Sequence, residues 1–315
     1  MNFPKKTLFW IIVLISLSGI FYFTEQEAEE TRLEVEKGLK LFHFTVDDVS
    51  QFWITYLRED RELRVVRSQD GWELIEPLTA KGDNEVIQKL LQNVITARKD
   101  AVLFQNVGPA KLKELGLDDP EFEIGFTVGD RAIIIQFGVS GPTNNVAYAM
   151  LKGESRIFRV HSDTREEVRI EAYSLRDKTI LDFDPIKMTR FVIEAKGEPR
   201  IVIEQNKGRW HMLEPDARKA TMEKVVETLY EIKNSEVKLF KDDVTTAPES
   251  YGFDTPRLRL TIKDEESGQP YILTIGNKDR ANRGYFAKTN QSEILIVVEE
   301  GLVNAVLRNK DKLAE

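Results

Sequence analysis

Two stretches of this chain space their apolar side chains for a helix, and much of the remainder breaks into short runs that suit strands. Over 84–99, Val86, Ile87, Leu90, Leu91, Val94 and Ile95 share one face, with Gln88, Lys89 and Gln92 opposite. Asp83 stands where an N-cap is needed. Over 221–234, Met222, Val225, Val226, Leu229 and Ile232 form a matching stripe against Glu223, Lys224 and Glu227. A helix with one apolar stripe hides it against a sheet. The first helix is flanked by expected strands at 61–67 and 72–76 before it and at 122–128, 132–137, 146–151 and 156–160 after it. The second is flanked by 200–204 and 210–213, then by 258–263, 271–275, 284–288 and 294–298. Turns such as Gly129-Asp130, Gly153-Glu154 and Asn290-Gln291 are short enough to pair their strands antiparallel. Small helical segments rich in arginine and lysine are expected at 166–178 and 302–312.

The same pattern is therefore written twice. Gly71-Trp72-Glu73-Leu74-Ile75-Glu76-Pro77 is answered by Gly208-Arg209-Trp210-His211-Met212-Leu213-Glu214-Pro215. Leu115-Gly116-Leu117-Asp118-Asp119-Pro120 is answered by Tyr251-Gly252-Phe253-Asp254-Thr255-Pro256. The offset hardly drifts: Trp72 to Trp210 is 138, Pro120 to Pro256 is 136, and Gly138 to Gly276 is 138. Solenoid repeats run roughly 20–50 residues, so this period is that of a whole small domain, duplicated. The expected architecture is α+β: two tandem copies, 41–178 and 179–315, each a mainly antiparallel sheet packed by one long helix.

The N-terminus is a different material. Residues 7–23 carry no charge, Lys5 and Lys6 precede them, and 24–40 holds six glutamates against Arg32, Lys37 and Lys40. Seventeen helical residues cover roughly 26 Å, near the lower limit for a membrane span. Trp10 and Tyr22 suit the two interfacial belts. The expectation is a cytoplasmic tail at 1–6, a transmembrane helix at 7–23, a charged stalk at 24–40, and the bulk of the chain outside a bacterial inner membrane. The competing reading is a cleaved signal peptide with Ser16-Leu17-Ser18 as its small-x-small site. Cleavage there would leave Gly19-Ile20-Phe21-Tyr22-Phe23 as an apolar new end, which favours the anchor.

Composition narrows the chemistry. A net charge of -8 supplies no basic stripe for nucleic acid. The absence of cysteine removes disulfides, thiolate nucleophiles and cysteine metal sites. His43, His161 and His211 fall at non-corresponding places in the repeat, without metal-site spacing. Neither a G-x-S-x-G elbow nor a phosphate-binding Walker loop is present. No cofactor is called for.

The paired G-W-x-L-x-x-P phrase, the Gly-Leu/Phe-Asp-x-Pro turn and the I-x-x-G strand that follows resemble the bacterial domain of unknown function 4340 family. The resemblance spans about 41–313. It implies a membrane-anchored protein with the domain in tandem, acting as an accessory subunit beside an ABC-2-type permease or a gliding-motility-like envelope system. It implies no catalytic residue.

Each candidate contact also has a plain structural role. Asp118 and Asp254 would be paired carboxylates of ligand turns, but Gly116 and Gly252 followed by Asp-x-Pro, with Pro120 and Pro256, also make an ordinary helix-to-strand connection. Trp72 and Trp210, each close to Pro77 or Pro215, would be sugar platforms or, more simply, core anchors. The loops 138–145 and 276–283 occupy equivalent places, and only the second is basic, with Lys278, Arg280 and Arg283. Those three are the expected partner contact. The leading expectation is a non-catalytic binding protein. A glycan hydrolase using a carboxylate pair and a passive scaffold are the alternatives.

Overall fold

The computed structural model describes residues 38–314 apart from 100–101, 142, 144, 245–247 and 266–267, together with Ser18, Phe21, Tyr22 and Glu25. Most of the expected span and most of the stalk lie outside the described residues. Among the described residues no helix is long and apolar enough to cross a membrane. The chain divides into two compact units, Met1–Asp177 and Lys178–Glu315.

In the first unit the elements are β1 (Val49–Tyr56), β2 (Arg61–Ser68), β3 (Gly71–Glu76), β4 (Ala80–Lys81), α1 (Asn84–Ile95), β5 (Val102–Gln105), α2 (Pro109–Glu114), β6 (Phe122–Val128), β7 (Arg131–Ser140), β8 (Val146–Leu151), β9 (Arg156–His161), α3 (Ser162–Val168) and α4 (Ala172–Leu175). They build one nine-stranded sheet in the order β4-β3-β2-β1-β6-β7-β8-β9-β5. The second unit has β10 (Met188–Ala195), β11 (Ile201–Asn206), β12 (Arg209–Glu214), β13 (Arg218–Lys219), α5 (Met222–Lys233), β14 (Val237–Lys241), α6 (Pro248–Tyr251), β15 (Leu258–Asp264), β16 (Tyr271–Asp279), β17 (Gly284–Thr289), β18 (Leu295–Glu299) and α7 (Glu300–Asn309). Its sheet runs β13-β12-β11-β10-β15-β16-β17-β18-β14, the same order throughout. All strand pairs are antiparallel, and even the irregularities recur. The bulge at Val49/Gln51 returns at Met188/Arg190, and that at Phe137/Ser140 returns at Ile275/Lys278. The Glu76-Pro77 and Glu214-Pro215 bonds are both cis.

One face of each sheet carries the core. Phe52, Ile54, Leu63, Leu74, Ile124, Phe126 and Ile135 form a single cluster with Ile87, Leu90, Leu91 and Val94 of α1. Phe191, Ile193, Ile203, Leu260 and Ile262 do so with Val225, Leu229 and Ile232 of α5. A third, smaller cluster (Leu115, Leu117 and Ile157, with Leu112, Tyr148 and Met150) joins α2 to the first sheet.

Several boundaries differ from the sequence reading, for physical reasons. The central strands β1 and β10 were not expected. Their bulges put an extra residue into the alternation, and Trp53 and Val192 place apolar side chains on the second face as well. The edge strands β5 and β14 are only four and five residues long and carry no clear period. The helix expected over 84–99 stops at Ile95 because the following residues pair elsewhere. Lys99 N donates to Leu39 O at 2.9 Å, and Arg98 bridges Lys40. The first fold thus recruits Leu39 and Lys40, ahead of the expected start at 41. The segment at 166–178 is two short helices, one beginning upstream at Ser162. On α5 the buried set is Val225, Thr228, Leu229 and Ile232, so the helix turns Met222 onto its flank, where it is 58% exposed.

Candidate functional site

The segment 276–283, read from sequence as a loop, is half strand. β16 continues to Asp279 and β17 resumes at Gly284, so only 280–283 turn the chain. Asp279 organises that turn. Its buried carboxylate accepts from Asn282 N at 3.2 Å and from Asn282 Nδ2 at 2.7 Å, and Lys241 Nζ lies 3.6 Å away. Burial pushes the Asp279 carboxyl up, but the Asn282 hydrogen bonds and the Lys241 charge outweigh it and hold it below the usual carboxylate range. Arg283 adopts a left-handed φ of 50°, and its carbonyl accepts from Lys238 Nζ at 3.2 Å. Gly284 closes the turn against β18: a Cβ there would sit 2.5 Å from Val298 O.

The cations around this apex fall into two groups. Lys278 pairs with Glu300 at 2.8 Å, and Lys238 pairs with Glu299 at 2.9 Å. Arg280 and Arg283 are exposed, and among the described residues their guanidinium groups have no ion-pair partner. The three residues picked from sequence therefore do share one hairpin, but Lys278 is already engaged and two arginines remain. Lys238, Lys241, Asp279 and Asn282 were missed. Lys238 and Lys241 lie on an unforeseen edge strand, while Asp279-x-x-Asn282 was a legible turn signal. The matching apex of the first unit, closed by Gly141 N to Val146 O at 2.7 Å, is neutral, with Ser140, Thr143 and Asn145.

The shared residues hold the scaffold. After α2, Gly116 takes φ +66°, Gly116 N bonds Lys113 O at 3.1 Å, and Leu117 N reaches Leu112 O at 2.9 Å, a Schellman cap. That cap docks on the I-x-x-G strand, where a Cβ on Gly138 would fall 2.1 Å from Leu115 O. In the second unit Gly252 has φ +76°, and a Cβ on Gly276 would meet Tyr251 O at 2.0 Å. Asp118 and Asp254 point to solvent beside these turns, while Pro120 is buried. Trp72 and Trp210 are buried core residues, so neither offers a ring face to a sugar. Arg67 stacks on Trp72, and the buried indole N–H of Trp210 has no hydrogen-bond acceptor among the described residues.

Carboxylates do gather in one groove of about 470 Å³, where Asp182, Asp184 and Asp264 lie beside Phe183, Lys187 and Tyr271. Each is occupied by the fold. Asp182 pairs with Lys233 at 2.7 Å, Asp184 accepts from Ile186 N at 3.0 Å, and Asp264 lies 3.4 Å from the Tyr271 hydroxyl. His43, His161 and His211 are exposed, and no group of three His, Asp or Glu side chains among the described residues is arranged to hold a metal ion.

A family model supplies the comparison that decides kinship. It matches residues 72–249 and 210–315, and the two segments begin at the equivalent tryptophans, Trp72 and Trp210. The chain belongs to the family described as Domain of unknown function (DUF4340). No curated protein and no solved structure matches it.

Proposed function

We propose that the chain is a membrane-anchored extracytoplasmic binding protein, a non-catalytic accessory subunit of an ABC-2-type or gliding-motility-like envelope transport complex. The observation that carries this reading is where the two copies agree and where they part. Agreement falls on caps, close-packed glycines and core tryptophans, and a marked difference falls on a solvent-facing hairpin that is neutral in one unit and bears Arg280 and Arg283 in the other. A change of charge at an exposed tip on a retained scaffold alters what is bound. The uncharged run at 7–23, behind Lys5 and Lys6, supports an anchor in a bacterial inner membrane with the N-terminus cytoplasmic. Anchoring confines both units beside their partner and raises the effective concentration without a tight pairwise contact. The finer architecture, one long helix covering each sheet behind a membrane helix, belongs to the same proposal.

Purification of the full chain from membranes in mild detergent, with and without crosslinking, tests it. The expected result is recovery of a permease or another envelope protein with the chain. Recovery of this chain alone under both conditions sinks the proposal.

A further inference from the structure

We infer that the hairpin apex of the second unit docks on anionic phospholipid headgroups through Arg280 and Arg283; the inference rests on the anchored reading above and names what that tip touches. The two guanidinium groups are three residues apart on a four-residue turn, both exposed and both unpaired among the described residues. The turn that presents them is fixed in advance by Asp279, Asn282 and the Lys238 contact to Arg283 O. Little ordering is then left to oppose binding. A guanidinium offers parallel N–H donors that match a phosphate diester, and it is more weakly hydrated than an ammonium.

The surroundings select a lipid surface over a protein. Between the arginines stand Ala281 and Asn282, and Lys278 and Glu300 flank them as a closed pair. The apex therefore lacks the large apolar or aromatic anchor that supplies most of the energy of a protein interface. A charged bilayer surface needs no such anchor, because cations gain there while remaining partly hydrated. An anchor would also hold the apex close to the bilayer, so that two cations can act at a high effective concentration of headgroups. The first unit is an internal control, since its equivalent apex carries Ser140, Gly141, Thr143 and Asn145.

The chain contains no cysteine, so a single reporter can be placed without altering other sites. The full chain with Ala281→Cys, labelled with a fluorophore, is reconstituted in vesicles of phosphatidylcholine alone or of an equal mixture with phosphatidylglycerol, both containing a headgroup quencher. Quenching is expected in the mixed vesicles, weak in pure phosphatidylcholine, and reduced by added salt. Reversal of both arginines (Arg280→Glu with Arg283→Glu) should lower the docked-to-free ratio by at least roughly thirty-fold, since each surface cation contributes about a five-fold gain. Arg280→Lys with Arg283→Lys should retain most of it. A label at Thr143→Cys should not respond to lipid charge. Equal quenching in the two lipids, or quenching indifferent to the reversals, overturns the inference. Failure of the anchor appears separately, as a chain that does not float with pure phosphatidylcholine vesicles. In that case the tip is read from flotation on the mixed vesicles, which the arginine reversals must abolish.

Discussion

Where the first unit lays Trp53 opposite Gly125, the second sets Val192 opposite Thr261. A Cβ on Gly125 would come within 2.2 Å of the Trp53 indole, so the largest side chain needs the smallest partner. Two mid-sized β-branched residues fill the same place in the other sheet. A second exchange lies under the closing helix. In the first unit the Arg165 guanidinium is buried, bonds Gly138 O at 3.1 Å and pairs with Glu121 at 2.8 Å. In the second unit the matching residues are Val303, which is fully buried in the core, and Arg257, which lies over the Tyr285 ring. A partly buried ion pair in one unit and plain apolar packing in the other thus hold the same helix to the sheet. The two units therefore share shapes and backbone approaches more than they share residues, and the few identities that remain mark places with no second solution.

That contrast can be broken in three ways, each followed by amide exchange on the full chain so that each unit is measured separately. The largest effect is expected at the two strand glycines. Gly138→Ala and Gly276→Ala each force a methyl onto a backbone carbonyl that cannot step aside, and each should destabilise its own unit by about 3 kcal/mol. A mild effect in either unit would show that the cap-to-strand approach is not a shared requirement. The next is the swap at the central strands. Gly125→Thr alone should cost about 2 kcal/mol, and adding Trp53→Val should return about half or more of that, a coupling typical of touching residues. Simple additivity would mean the pairs are not alternatives. The smallest concerns the helix starts. Asp83 accepts from Glu85 N and Val86 N at 3.1 Å each, whereas Thr221 makes no side-chain cap bond. Asp83→Ala should cost about 1 kcal/mol and Thr221→Ala distinctly less. Equal losses would contradict the cap assignment.

The sequence disclosed those parts of the fold whose period was clean. Helix α1 announced itself through Asp83 and its stripe, and the hairpins β2–β3 and β6–β7 through alternation between polar turns. Strands β1 and β10, beside the middle of each sheet, stayed hidden because Phe52 and Ile54 on one face and Trp53 on the other make an apolar run next to a bulge, which suits no single template. The candidate site was half legible. Charge picked out Lys278, Arg280 and Arg283, but only three-dimensional pairing could separate Lys278, held by Glu300, from the two arginines. The carboxylate that fixes the turn looked like one acid among many until its burial was visible.

The strand order also bears on how the chain reaches this state. β1 must wait for β6, made after a helix, an edge strand and a second helix, before its inner side is covered, and β5 pairs only with β9 from the end of the unit. Each half is a meander of sequence neighbours, but joining the halves through β1 and β6 and adding β5 to β9 both require distant segments. During synthesis each unit therefore stays open until nearly its last strand has emerged, and loop closure over these spans makes folding slow for the domain's size. Until then the open edges of β1 and β9 offer unpaired backbone to any other strand nearby, which makes that interval the one most exposed to misassembly.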